Sequence, residues 1–165
     1  MIPVGRILRA RRVSGVISTD DILPARSKYV SVAPSEMARH LFENLAPPLS
    51  GPLQPGDVLV GDDLMGVGSS REQAVSALLA AGVEAVLAPA FGRIFFRNAW
   101  NLGLVALEVR DFGAADGDPL EIDLAGAVIR HAGRALPFRP VPPEMIEIAH
   151  EGGLLARLRK SLGVG

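Results

Sequence analysis

Gly56-Asp57-Val58-Leu59-Val60, then Gly66-Val67-Gly68-Ser69-Ser70-Arg71-Glu72-Gln73, then Ala74, Val75, Leu78 and Leu79 before Gly82, decide the fold of this chain. The first five residues read as a turn feeding a short buried strand, and the later apolar residues recur at helical spacing until Gly82 stops the pattern. The glycine-rich stretch is therefore a strand-to-helix turn. Gly66 and Gly68 suit a tight bend and a close backbone approach to a ligand, and the free N–H groups and positive end of the following helix favour an anion. Two hydroxyls, a guanidinium and a carboxylate directly after the glycines are the equipment of a carboxylate-binding, proton-moving site. Ser69 with Glu72, or Ser70 with Gln73, equally fits a capping box that needs no ligand. Nucleotide loops are poorly supported: a Walker A loop needs Gly-Lys where Val67-Gly68 stands, and a dinucleotide fingerprint needs a small residue at Arg71.

Working outward, Val83 to Ala88, apolar but for Glu84, is a run of strand length, Arg93 to Leu102 reads as a helix ending at Gly103, and Leu104 to Val109 as another strand. This strand, helix, strand, helix, strand succession predicts parallel crossovers with ligand groups at the carboxyl ends of the strands. Upstream, Gly5 to Val16 predicts a strand with its arginines outward, and Ser18-Thr19-Asp20-Asp21 breaks it with turn or cap chemistry. Residues 34 to 46 read as a helix with Met37, Leu41, Phe42 and Leu45 on one face. Pro47-Pro48, Gly51-Pro52 and Pro55-Gly56 then form a stiff connector. Residues 110 to 139 predict a small antiparallel group, and 143 to 162 one or two helices broken at Gly152-Gly153.

A chain of 165 residues, 48% hydrophobic and 21% charged, is expected to form one domain spanning 1–165. The formal charge of −1 and the lack of a long basic run argue against nucleic-acid or membrane partners. Arg9, Arg11 and Arg12 fit a solvated strand face. There is no cysteine, so the chain has no thiolate for a cluster or a zinc ion, and His40, His131 and His150 lack metal-ligand spacing. No segment approaches the roughly 20 apolar residues of a membrane span, which predicts a cytoplasmic protein.

Taken in order, Thr19-Asp20-Asp21-Ile22-Leu23-Pro24-Ala25, Pro55-Gly56-Asp57, Gly68-Ser69-Ser70-Arg71-Glu72, Ala88-Pro89-Ala90-Phe91, Arg93-Ile94-Phe95-Phe96-Arg97-Asn98 and Asn101-Leu102-Gly103-Leu104 resemble the small, swivelling-domain subunits of the aconitase and isopropylmalate dehydratase superfamily. The resemblance covers nearly the whole length. It implies an α/β fold, the aconitase-type swivelling β/β/α domain: a mostly parallel sheet flanked by helices with a small antiparallel β group. It also implies a hydro-lyase that removes and re-adds water on a small hydroxy-di- or tricarboxylate, active only with a separate large subunit in a heterodimer or heterotetramer. The [4Fe–4S] cluster is expected on that partner and no cofactor on this chain. An isopropylmalate-type acid of leucine biosynthesis is the simplest substrate. Homocitrate-, citramalate- and 2,3-dimethylmalate-type acids are the alternatives, and a non-catalytic anion-binding module is the rival from another class.

By the same resemblance Ser69 is the base, acting as an alkoxide, and Ser70 with Arg71 binds a substrate carboxylate. Asp20 lies at the site's edge and assists proton transfer through a histidine of the partner. Gly66 and Gly68 shape the turn, and Glu72 supports Arg71 or the helix start. The loop after Pro24 reads the substrate's variable group: Arg26 and Lys28 suit a further carboxylate, Tyr29 and Val30 an alkyl group. Asp62-Asp63, Val67 and Gln73 depart from the commonest family pattern, and the two aspartates make the turn less welcoming to an anion unless they face away or pair with the large subunit.

Overall fold

The computed structural model describes residues 2–26, 33–69 and 71–163. Ten strands run in chain order: β1 (Leu8–Val13), β2 (Ile17–Ser18), β3 (Asp57–Gly61), β4 (Leu64–Val67), β5 (Val83–Ala88), β6 (Ala90–Phe91), β7 (Val105–Glu108), β8 (Pro119–Asp123), β9 (Val128–His131) and β10 (Arg134–Pro137). The helices are α1 (Thr19–Ile22), α2 (Pro34–Met37), α3 (Glu72–Ala80), α4 (Arg93–Leu102), α5 (Pro143–His150) and α6 (Leu154–Leu162).

The main sheet has the order β10-β9-β8-β1-β3-β5-β7, parallel from β1 to β7 and antiparallel from β1 through β8 to β10. β3 is buried throughout and β5 at every residue but Glu84, as expected of central parallel strands covered on both faces. The predicted antiparallel group exists, but it extends the parallel sheet at the β1 edge instead of standing apart.

A second sheet, β2-β4-β6, is wholly parallel, and the pattern of apolar residues did not reveal it. Each of its strands follows a main-sheet strand across a short corner: β1 into β2, β3 into β4, β5 into β6. Three neighbouring strands thus bend together. The β4 end, not the β3 end, delivers the glycine-rich turn.

Two glycines allow β4 to lie against the start of α4. Gly66, at φ +77°, has its missing Cβ direction filled by the Phe95 ring at 2.2 Å, and that of Gly92 is filled by the Gly66 carbonyl oxygen at 2.2 Å. Gly66 therefore serves packing against Phe95. Gly92→Ala places a methyl on backbone that cannot rotate away, and is expected to cost about 2–3 kcal/mol. A chain of this length should then melt about 2–4 °C lower per kcal/mol; an unchanged melting temperature would show that the contact carries no weight.

Two expectations need correction. Residues 34 to 46 do not form one helix: α2 ends at Met37, a 3-10 turn follows over Ala38–His40, and Phe42 takes φ +59°. The break is what lets the Phe42 N–H donate to Ile22 O at 2.9 Å while its ring is buried. Arg11 is not on a solvated face but 3% exposed. Its guanidinium donates to Asp57 Oδ2 at 3.0 Å, Pro52 O at 2.9 Å and Gly51 O at 2.8 Å, so it ties the proline connector to β1 and β3.

Candidate active site

The site is built where α1 meets the turn after β4. Ser18 pairs with Val67 across β2 and β4, which sets the start of α1 opposite Gly68 and Ser69. Ser18 and Asp21 then close a capping box: Ser18 N–H and Oγ donate to Asp21 Oδ2 at 2.7 and 2.6 Å, and Asp21 N–H donates to Ser18 Oγ at 3.1 Å. This divides the three residues Thr19-Asp20-Asp21 cleanly. Asp21 caps the helix, Thr19 points inward, and Asp20 is left as the outward carboxylate, 56% exposed.

Thr19, only 2% exposed, donates its hydroxyl to Ser69 O at 3.0 Å. The backbone of Ser69 is therefore anchored, whereas the residue itself is exposed. Gly68, at φ +100°, allows the bend, and only Thr19 Oγ1 at 3.5 Å lies within 4 Å of its missing Cβ. From sequence Thr19 reads only as part of a turn or cap, not as an anchor for Ser69. Its signal was a β-branched hydroxyl residue immediately before the exposed acid.

Arg71 closes the other side. Its Nη1 donates to Asp20 Oδ1 and, at 3.0 Å, to Leu23 O, with the side chain 15% exposed. Nε and Nη2 have no acceptor among the described residues, so two donors of the planar fork stay available for a carboxylate. Two residues singled out separately in the sequence, Asp20 and Arg71, are thus an ion pair linking segments 51 residues apart.

Arg71 is also the N-cap residue of α3, and no side chain caps that helix. The capping box of Ser69 with Glu72 is accordingly not formed. The N–H groups of Glu72 and Gln73 have no acceptor among the described residues, which keeps the helix start open to an anion. Glu72 is exposed and makes no hydrogen bond or ion pair to a described residue; Asp20, not Glu72, holds Arg71.

The remaining site candidates divide. Arg26 is exposed and its Nη2 donates to Glu43 Oε2 at 2.9 Å and Asn44 Oδ1 at 3.3 Å. Ser70 and the loop residues Lys28, Tyr29 and Val30 lie outside the described residues. Asp62 turns toward β1: its carboxylate accepts from Gly15 N–H at 2.7 Å and Arg12 at 3.3 Å. Burial pushes that carboxyl up, but the Gly15 N–H, the Ser14 hydroxyl and the Arg12 guanidinium outweigh it and hold it below its ordinary range. Asp63 accepts from its neighbour Leu64 N–H at 2.7 Å. Asp62 is thereby neutralised within this chain.

Trp100 is 4% exposed and donates Nε1–H to Ala106 O at 3.1 Å. Among the described residues no group of histidines and acids is arranged to hold a metal ion, and no helix is long and apolar enough to cross a membrane.

The family model for the aconitase C-terminal domain matches residues 54–111, from the strand before the turn to just beyond β7. The 3-isopropylmalate dehydratase small subunit 2 of Archaeoglobus fulgidus is 40% identical over 154 residues, covering 92% of this chain and 93% of that protein. The chain belongs to the aconitase/3-isopropylmalate dehydratase small-subunit family. Within that family it is also similar to the homoaconitase small subunit of Thermus thermophilus, 40% identical over 146 residues, 87% of this chain and 90% of that one. The crystal structure of 3-isopropylmalate dehydratase from Methanocaldococcus jannaschii superposes with a TM-score of 0.82 at 34% identity, covering 94% of each chain. The two sheets with flanking helices are thus the family's fold, and the Thr19, Asp20, Ser69 and Arg71 cluster sits within it.

Proposed function

We propose that this chain is the small subunit of a two-chain hydro-lyase that interconverts 2-isopropylmalate and 3-isopropylmalate by dehydration and rehydration. The observation that carries the proposal is the half-site itself: an exposed Ser69 on an anchored backbone, beside an Arg71 whose fork is half engaged by Asp20. The names of the relatives support the substrate class. The whole span 1–165 is read as one domain, supported by a single buried core that reaches from Ile2 to Ala149.

The chemistry requires a proton to leave a weakly acidic C–H beside a carboxylate while a hydroxyl departs from the neighbouring carbon. The [4Fe–4S] cluster on the large subunit supplies the Lewis acid for that hydroxyl; this chain has no cysteine to hold one. Ser69 Oγ takes the proton. A serine hydroxyl is far too weakly acidic to ionise unaided, so the Arg71 guanidinium and the open N–H groups at the start of α3 stabilise the oxyanion once the partner excludes water. Ser70 and the free donors of Arg71 hold the substrate carboxylate, and Asp20 orients Arg71 while it awaits a histidine from the partner.

Arg71→Lys keeps the charge but has one nitrogen for Asp20, Leu23 O and the substrate together. It is expected to raise KM about 10–100-fold in the reconstituted enzyme with the melting temperature nearly unchanged. An unaltered KM would remove Arg71 from the carboxylate site.

The function is tested by reconstituting the chain with its cluster-bearing partner and measuring steady-state rates on isopropylmalate, homocitrate, citramalate and 2,3-dimethylmalate. The highest kcat/KM is expected on isopropylmalate. A preference for homocitrate would assign the chain to the homoaconitase branch, which the Thermus thermophilus relative also represents. No turnover of any of the four, with tight binding of a hydroxy acid by the chain alone, would identify a non-catalytic anion-binding module.

A further inference from the structure

Beside the Ser69 turn lies a shallow cleft of about 410 Å³, with Val67 and Gly68 on one wall and Arg93, Ile94 and Arg97 of α4 on the other. Arg93 and Arg97 stand one turn apart on the same helix face. Both are exposed, and neither has a hydrogen bond or ion pair to a described residue. Most other arginines near the site are engaged: Arg12 with Asp62, Arg26 with Glu43 and Arg71 with Asp20. Ile94, 49% exposed, lines the same cleft as the two free arginines. The fold does not require this exposure, because the buried side of α4 is already filled by Phe95, Ala99 and Trp100.

We infer that Arg93, Ile94 and Arg97 form a docking face for the large subunit, and that the opposing surface of that subunit carries carboxylates around an apolar contact. The inference rests on the two-chain reading above and adds to it the face and the chemistry of the contact. An apolar residue flanked by arginines is the composition of an interface centre and its rim. The charge also selects the occupant. A second copy of this chain docked through the same face would set guanidinium groups against guanidinium groups, whereas an acidic partner pairs both. The cleft adjoins Gly68, so a partner seated on α4 also covers the exposed Ser69 and excludes water from it.

The test measures association of the full chain with the cluster-bearing large subunit, by titration calorimetry at several salt concentrations, together with turnover of the complex. Arg93→Glu with Arg97→Glu is expected to weaken association by at least about 100-fold at low salt and to reverse its salt dependence, since screening then relieves repulsion. The melting temperature of the isolated chain should not change, since neither side chain has a partner to lose. With the large subunit in saturating excess, kcat and KM should return to the wild-type values. Unchanged association would overturn the inference, as would intact association with a raised KM, which would make these arginines substrate contacts. Ser69→Ala serves as the control, expected to bind the partner as the wild type does while remaining inactive. If the wild-type chain itself binds no large subunit, the two-chain reading falls; if the charge-reversed chain binds as tightly as the wild type, the docking face alone falls.

Discussion

Replacing Ser69 by alanine is expected to lower kcat of the reconstituted enzyme by about 10³–10⁴-fold, in line with the loss of a positioned general base. The change removes one hydroxyl and nothing else. Thr19 holds Ser69 through the main-chain oxygen, a bond that alanine retains, and the residue is exposed in the free chain. The melting temperature and the affinity for the large subunit should therefore match the wild type. The contrast with Arg71→Lys is diagnostic, because a lost base acts on kcat and a crippled carboxylate clamp on KM. Turnover near the wild-type level in the alanine variant would move the proton transfer to another group.

The largest expected effect on stability is at Asp57. Its carboxylate, 1% exposed, accepts from Arg9 Nε at 2.7 Å, Arg9 Nη2 at 3.0 Å, Arg11 Nη1 at 3.0 Å and Gln54 N–H at 2.9 Å. Asp57→Ala leaves the buried Arg11 guanidinium with only the part-exposed Asp116, 3.5 Å from its Nε, as counter-charge, and removing one partner of a buried pair costs about 3–5 kcal/mol. That is a large part of the roughly 5–15 kcal/mol by which a domain is stable. Arg9, by contrast, is 42% exposed and its bond to Asp57 contributes little of this. Replacing Arg11 by methionine and Asp57 by leucine together should recover much of the loss, since the penalty comes from a buried guanidinium that Asp116 alone compensates poorly. A melting temperature unchanged in Asp57→Ala would mean that the proline connector, not the ion cluster, holds β1 and β3 in register.

Much of this arrangement is legible in the sequence where the pattern is local. Val83 to Ala88 and Arg93 to Leu102 have the predicted bounds because a run apolar but for Glu84 and a glycine stop leave few alternatives. The second sheet is not legible: Ile17–Ser18 and Ala90–Phe91 are two residues each, too short to show a period of two, and they form strands only because β4 lies between them. The burial of Arg11 escaped for a related reason. An arginine between alanine and arginine reads as solvent-facing until Asp57, 46 residues on, is brought beneath it. At the site, Ser69, Arg71 and Asp20 were named from motifs, but their joining is tertiary. No local signal says that Arg71 would choose Asp20 over Glu72, one residue away.

The stretch of chain between Leu23 and Asp57 is fastened at both ends, by Arg71 on the Leu23 carbonyl and by Arg9 and Arg11 on the Asp57 carboxylate. Insertions or deletions within such a closed segment cost little, because loop entropy grows only with the logarithm of length. On the proposed reading, the Ser69 turn is thereby insulated from changes in the segment after Pro24. If that segment reads the substrate's variable group as proposed, grafting residues 25 to 33 from a relative with a different acid preference should carry the preference across without retuning Ser69, as a cassette exchanged on a fixed chassis.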